Sequence, residues 1–187
     1  MALWGYRLDA VRARVRARCA ALLGLSVGTA AQIHPGARWR SGAGSALGDR
    51  AILYRDVQLL ATGTGRFTVG RDSHIAPGGY LLIGGQRLSI GNDVAIGPGL
   101  MLFCESNAVT PDGLFRERYQ RADIRIGDNV FLGARVTVLP GSVIDDQVVV
   151  AAHSVVRGHL QAGWVYGGAP AKPLYRVDGV KSPTVGT

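Results

Sequence analysis

Residues 126–156 read IGDNVFLGARVTVLPGSVIDDQVVVAAHSVV. Ile126, Leu132, Val138, Ile144, Val150 and Val156 recur at every sixth position. That spacing matches neither the helical period of 3.6 nor the strand period of 2. The fifth residue of each hexad is small or β-branched: Val130, Val136, Ser142, Val148 and Ser154. It lies two places before the next aliphatic residue, so the pair shares one face of a short strand. Between strands a corner must fit, and Gly127, Gly133, Asp145 and Ala151 are suited to one. Such short strands bury nothing alone, whereas stacked turns bury each inward side chain on its counterpart in the next coil. Three hexads per turn predict a triangular prism filled by an aliphatic ladder.

An earlier array has the same form, with VGRDSH and IAPGGY from Val69 and IGNDVA and IGPGLM from Ile90. A three-residue offset around GGQRLS separates its two halves. Further upstream the pattern loosens, and Ile33, Trp39 and Val57–Leu59 predict irregular first coils. The period also fails over residues 103–123, FCESNAVTPDGLFRERYQRAD, and returns at Ile124–Ile126. A loop of about twenty residues inside a compact domain points to function.

The chain has 187 residues with 47% hydrophobic content, which suits one globular domain. Its net charge is +8, almost all from arginine, since Lys172 and Lys181 are the only lysines. This balance favours phosphorylated ligands or acidic lipid surfaces. No basic stripe with interleaved aromatics or DNA-binding signature is present, which argues against a nucleic-acid partner. Cys19 and Cys104 have no metal-ligand spacing and read as free thiols in a reducing compartment. Arginines at 7, 12, 14, 16 and 18 precede CAALLGLSVGTAAQ, which imitates a signal peptide, but Gly24 and Gly28 interrupt the apolar run. Leu8, Val11, Val15, Cys19 and Leu22 instead predict a packed amphipathic helix, with membrane-surface contact through its arginines as a secondary reading.

The hexads resemble the hexapeptide-repeat acyltransferases, of the type that acetylates capsule sugars and xenobiotics, over roughly residues 60–176. The resemblance implies an all-β, left-handed parallel β-helix. It also implies a homotrimer whose paired prisms form an acyl-coenzyme A groove, with acetyl-CoA as donor and no metal. The ending GGAPAKPLYRV is similar to the family's Gly-x-Pro-Ala-Lys close, here Gly168–Lys172, which implies a short C-terminal helix entered at Pro170. By position, Gly133, Ala134, Ala151, Ala152, Arg157 and Lys172 become the cofactor candidates. A coil corner needs a small residue in any case, which accounts for Gly133 and Ala151 equally well.

The run ADIRIGD at the end of the interruption is similar to the end of the family's catalytic loop. At its start, Ser106-Asn107-Ala108 places Ala108 where the family carries its catalytic histidine. Alanine cannot take a proton, a task in which a positioned histidine contributes roughly 10²–10⁴-fold. Three readings stand open. Another group serves as base, with His153 foremost and Glu105, His74 and His159 behind it; or the acceptor is an amine; or the chain is a non-catalytic relative. The leading expectation is transfer of an acetyl or other acyl group to a sugar hydroxyl in surface-polysaccharide or glycoconjugate synthesis, with Asn107 orienting the acceptor. The expected organisation is a helical segment over 1–30, the β-helix over 31–166 with its extruded loop, and a short helix with tail over 167–187. The expected location is the cytoplasm, with contact at the inner membrane surface as a secondary reading.

Overall fold

In the computed structural model, residues 2–179 are described, with side-chain environments from Asp9 onward. The hexads build what their spacing demands, a parallel β-helix. Its three walls are parallel sheets of seven, seven and six strands, and an eighth, antiparallel strand extends the second wall. The six complete coils span residues 26–40, 46–61, 66–84, 87–103, 124–138 and 143–156, and residues 159–167 begin a seventh. Ile126 pairs with Ile144 and Ile144 with Leu160 on the first wall. Leu132, Val150 and Tyr166 align on the second wall, and Val138 with Val156 on the third. These side chains are buried, as are the fifth-position residues Val130, Val136, Ser142, Val148 and Ser154. Each inward aliphatic contributes roughly 1.5–3 kcal/mol of burial.

The period of six survives only where corners hold four residues. Coils 1 and 2 are regular, contrary to the expectation of irregular first turns. Ala31, Ile33, Ala37, Ser45, Leu47, Ala51, Leu53, Val57 and Leu59 fill their interior. The pattern looked broken for two reasons. Alanine takes the fifth position in several hexads, and extra residues at 41–45 and 62–65 shift the phase.

The N-terminal helix, α1 (Ala2–Leu22), packs on the first coil. Its buried face is Ala13, Ala17 and Ala20, while Val11, Val15 and Cys19 face outward with Leu22. The stripe predicted to pack is therefore the exposed one, and Leu8 lies outside the residues whose side chains are described. The reason is distance: alanines let the helix axis lie close on Leu25, Ala31, Ile33 and Ala37, where larger side chains would hold it off. Asp9 binds Arg55 at 2.7 Å, and Arg16 donates to the Ala37 carbonyl at 3.1 Å, fixing the helix on the prism.

The predicted C-terminal helix is a strand. After a turn at 168–171, residues Lys172–Arg176 run antiparallel to Trp164–Gly167 at the end of the second wall. Pro173 cannot donate the N–H that a helix begun at Pro170 would need there, whereas an edge strand tolerates it. Among the described residues a single 3₁₀ turn follows, at Val177–Gly179. Residues 180–187, which hold most of the expected loose tail, lie outside the described residues. The first strand begins at Ser26, ahead of the boundary expected at 31.

Candidate active site

The three edges of the prism are built differently. Where the first wall turns into the second, each corner approaches the next coil closely: a Cβ on Gly127 would lie 2.8 Å from the Asp146 amide nitrogen. Here, at Thr29, Arg71, Asn92 and Asp128, a side chain of the next coil accepts the amide of the second corner residue, whereas among the described residues the Asp49 and Asp146 amides have no such acceptor. Asp146 accepts from the Asp128 N–H at 2.8 Å, Asp128 from Asn92 at 2.7 Å, and Asn92 from Arg71 at 3.0 Å. The amide bond from Asn92, with the Asn92 side chain behind it, holds the Asp128 carboxyl below the usual carboxylate range.

The second edge, between the second and third walls, pairs its first and third corner amides in coils 3 to 6 but leaves the second corner position without a donated bond among the described residues. In every corner from coil 3 to coil 6, the third residue donates to the carbonyl of the second residue in the coil before. Gly99 bonds Pro77 at 3.0 Å, Arg135 bonds Pro98 at 2.9 Å, and His153 bonds Ala134 at 2.9 Å. The second corner position is Pro35, Pro77 and Pro98 in coils 1, 3 and 4, where no N–H exists to be left unpaired. Coils 5 and 6 carry Ala134 and Ala152 there. Among the described residues neither N–H has a protein acceptor, and Arg55 in coil 2 is alike in this. The other two corner candidates differ: Gly133 donates to Val150 and Ala151 to Tyr166, both at 2.8 Å. A Cβ on Gly133 would lie 2.5 Å from the Ala152 amide nitrogen, so packing alone requires glycine there.

The third edge collects every insertion, at 41–45, 62–65, 85–86 and 104–123. The last of these folds as a hairpin, with Glu105–Asn107 antiparallel to Tyr119–Arg121. Glu105 pairs with Arg121 at 3.2 Å at its base. Asn107 Nδ2 donates to the Phe115 carbonyl at 2.9 Å, and the Ala108 N–H to Arg118 at 2.9 Å. Asn107 thus holds the loop together through its nitrogen and keeps its oxygen for another donor. Between the hairpin and the corner at 139–142 lies an open cleft of about 380 Å³. Ser106, Asn107, Ala108, Gln120, Pro140 and Arg157 line it.

The sequence candidates therefore fall into two groups that flank one wall. Gly133, Ala134, Ala151, Ala152 and His153 lie along one side of the third wall, and Asn107, Ala108 and Arg157 lie along the other. Glu105 is engaged by Arg121 at the hairpin base. Lys172 follows the turn in which Val155 donates to Gly168 and Ala171 donates to Val155, which carries it past the end of this wall. His153 is exposed in the left-handed region at φ 59°, where coils 1, 3 and 4 have Gly36, Gly78 and Gly99. His159 binds Asp145 at 2.8 Å on the first wall. His74 packs edge-on to Tyr54, and burial lowers its pKa below the ordinary histidine value. The open amides were visible in the sequence as a contrast: Pro at one corner position in three coils and Ala in two. Gln120 and Pro140 carried no such signal: the hairpin's return brings Gln120 to the cleft, and the stacking of the 139–142 corner on the next coil brings Pro140 there.

Residues 123–158 match the family profile described as bacterial transferase hexapeptide (six repeats). The chain is 31% identical over 114 residues to the galactoside O-acetyltransferase of Lactococcus lactis subsp. lactis (strain IL1403), covering 58% of this chain and 55% of that protein. WbbJ of Escherichia coli (strain K12), assigned provisionally as a lipopolysaccharide biosynthesis O-acetyl transferase, is 49% identical over 53 residues, or 28% of this chain and 27% of its own. The chain thus spans between a quarter and rather more than half of these relatives. AntD, an N-acyltransferase from Bacillus cereus crystallised as a variant with dTDP and coenzyme A, superposes with a TM-score of 0.72 at 20% identity, over 85% of this chain and 87% of that one. At that identity the likeness is one of fold. The ladder of hexads and these matches agree: residues 123–158 carry the bacterial transferase hexapeptide repeat, and the chain is similar to the hexapeptide-repeat acyltransferases.

Proposed function

We propose that this protein moves an acyl group, most simply acetyl, from acyl-CoA to a hydroxyl of a sugar-containing acceptor in surface-polysaccharide or glycoconjugate synthesis. The observation that carries the proposal is the pair of open amides, Ala134 and Ala152, on one side of a wall whose other side bears the hairpin cleft. Acyl-CoA lies across the third wall with its thioester against those amides, and Arg157 and Lys172 meet its phosphates. The acceptor oxygen attacks the carbonyl carbon, the open N–H groups stabilise the resulting oxyanion, and the C–S bond breaks to release the coenzyme A thiol. His153, next to Ala152 on the same edge, takes the acceptor's proton and passes it to the departing sulfur. The working form is a homotrimer, in which a second copy closes the groove and brings its hairpin, with Asn107, onto the acceptor. The O-acetyltransferases among the relatives support the hydroxyl acceptor, and the supply of acyl-CoA and the two free thiols fit the cytoplasm.

One observation favours a second reading, an amine acceptor. No side chain lining the hairpin cleft takes up a proton at neutral pH, and an amine attacks through its own lone pair. Both readings are tested by mixing the protein with acetyl-CoA and a thiol-release reagent over galactosides, other sugars and amino sugars. Acceptor-dependent thiol release is expected. With a hydroxyl acceptor His153→Ala abolishes it, and with an amine acceptor that variant retains it. Tight acetyl-CoA binding with no release on any acceptor would instead describe a binding protein.

A further inference from the structure

We infer that the outward face of α1 docks on an anionic lipid surface, with Val11, Val15 and Leu22 entering between headgroups that Arg12, Arg14 and Arg18 bind. The inference is independent of the acyl-transfer reading. Val11, Val15 and Leu22 lie within about 40° of one another around the helix at 100° per residue. They are 55%, 52% and 89% exposed, and Leu23 beyond them is 80% exposed. The helix does not need them for its own packing, because its alanine face already seats it on the first coil. Arg12, Arg14 and Arg18 flank the stripe on both sides and are exposed. Asp9, the one acidic residue of α1, is held by Arg55, and Arg16 turns inward to the Ala37 carbonyl. The outward face is therefore purely cationic with an apolar centre.

That arrangement is what an interfacial helix requires, because long arginines reach headgroup phosphates while short aliphatics sink to the acyl boundary. A second copy meeting it with the same face would set arginine against arginine, and contact with a different face of a copy in a trimer is separated by the oligomer-size measurement below. Charge supplies most of the selectivity: each arginine near an anionic leaflet adds roughly fivefold to binding, and salt screens it.

The test uses the full chain with vesicles of phosphatidylcholine alone or containing about one-third phosphatidylglycerol. Sedimentation is expected with the anionic vesicles only. It should fall at least tenfold for Arg12→Gln/Arg14→Gln/Arg18→Gln, and severalfold for Val15→Ser/Leu22→Ser, whose charge is unchanged. Cys19 borders the stripe and is exposed, whereas burial first, and then the Asp123 carboxylate, pushes the Cys104 thiol up to about 12. An environment-sensitive fluorophore therefore labels Cys19 selectively, and its emission should shift to the blue with anionic vesicles. The inference is overturned if wild type fails to sediment, if both variants sediment like wild type, or if the label is unmoved. A change in oligomer size for Val15→Ser/Leu22→Ser would overturn it too, by assigning the stripe to an interface between copies.

Discussion

Replacing Ala134 by proline removes one N–H from the second edge at a position where this fold already accepts proline. Pro35, Pro77 and Pro98 occupy the same corner place in coils 1, 3 and 4. Gly133, the preceding residue, has no Cβ to clash with the new ring. The Ala134 N–H has no protein acceptor to lose, and its carbonyl, which receives the His153 N–H, is retained. Stability should therefore hold or rise by about 0.4–1 kcal/mol through a less flexible unfolded chain. That corresponds to a Tm gain of roughly 1–4 °C in a domain of this size. If the Ala134 N–H meets the oxyanion, kcat should fall by about 10²–10³. Ala134→Gly keeps the N–H, so its kcat should stay within about threefold of wild type, as no transition-state contact is removed. Thermal melts followed by β-sheet circular dichroism, and acceptor-dependent thiol release from acetyl-CoA, measure the two effects. Ala134→Pro and Ala152→Pro variants that both turn over at the wild-type rate would refute the assignment of these amides. A melt lowered by ten degrees would refute the equivalence of the corners.

His153→Gly should relieve a left-handed backbone and raise stability by about 1 kcal/mol, read as a higher urea midpoint at constant slope; His153→Ala should leave the midpoint within error. Leu132→Ala removes a fully buried rung and should cost about 2–5 kcal/mol, so a loss under 1 kcal/mol would contradict the packed interior. Arg157→Gln should raise KM for acetyl-CoA with little change in kcat, and a fall in kcat alone would move Arg157 from phosphate binding to the acceptor. Burial lowers the pKa of both His34 and His74 from 6.5. The unfolded chain therefore binds their protons more readily, so their contribution is complete above 6.5 and is lost as pH falls below it. Melting points recorded from pH 7.5 to 5 should drop on the acid side, and His74→Gln should flatten the slope.

The hexads from Ile126 were legible because their interior residues are large and aliphatic and their corners carry no insertion. The first coils were illegible for the opposite reason. Ala31, Ala37 and Ala51 give little hydrophobic contrast, and extra residues at 41–45 and 62–65 break the phase without breaking the stack. Periodicity chose the wrong face of α1, since a helix is oriented by how closely it can approach its neighbour, and alanine approaches closest. The C-terminal segment showed the same limit: Pro170 fits a helix start locally, but the unpaired edge of the second wall offered residues 172–176 a strand partner.

By itself the sequence determined the prism and the corner residues that line it, because a strict period of six leaves one way to bury every sixth aliphatic side chain. Only the tertiary structure decided which of those corners present free N–H groups. That depends on whether the neighbouring coil supplies an acceptor, as it does for Thr29, Arg71, Asn92 and Asp128 on the first edge and not for Ala134 and Ala152 on the second. It also decided that Arg157 and Asn107 line one cleft beside the hairpin, a juxtaposition of residues fifty apart that no local spacing encodes.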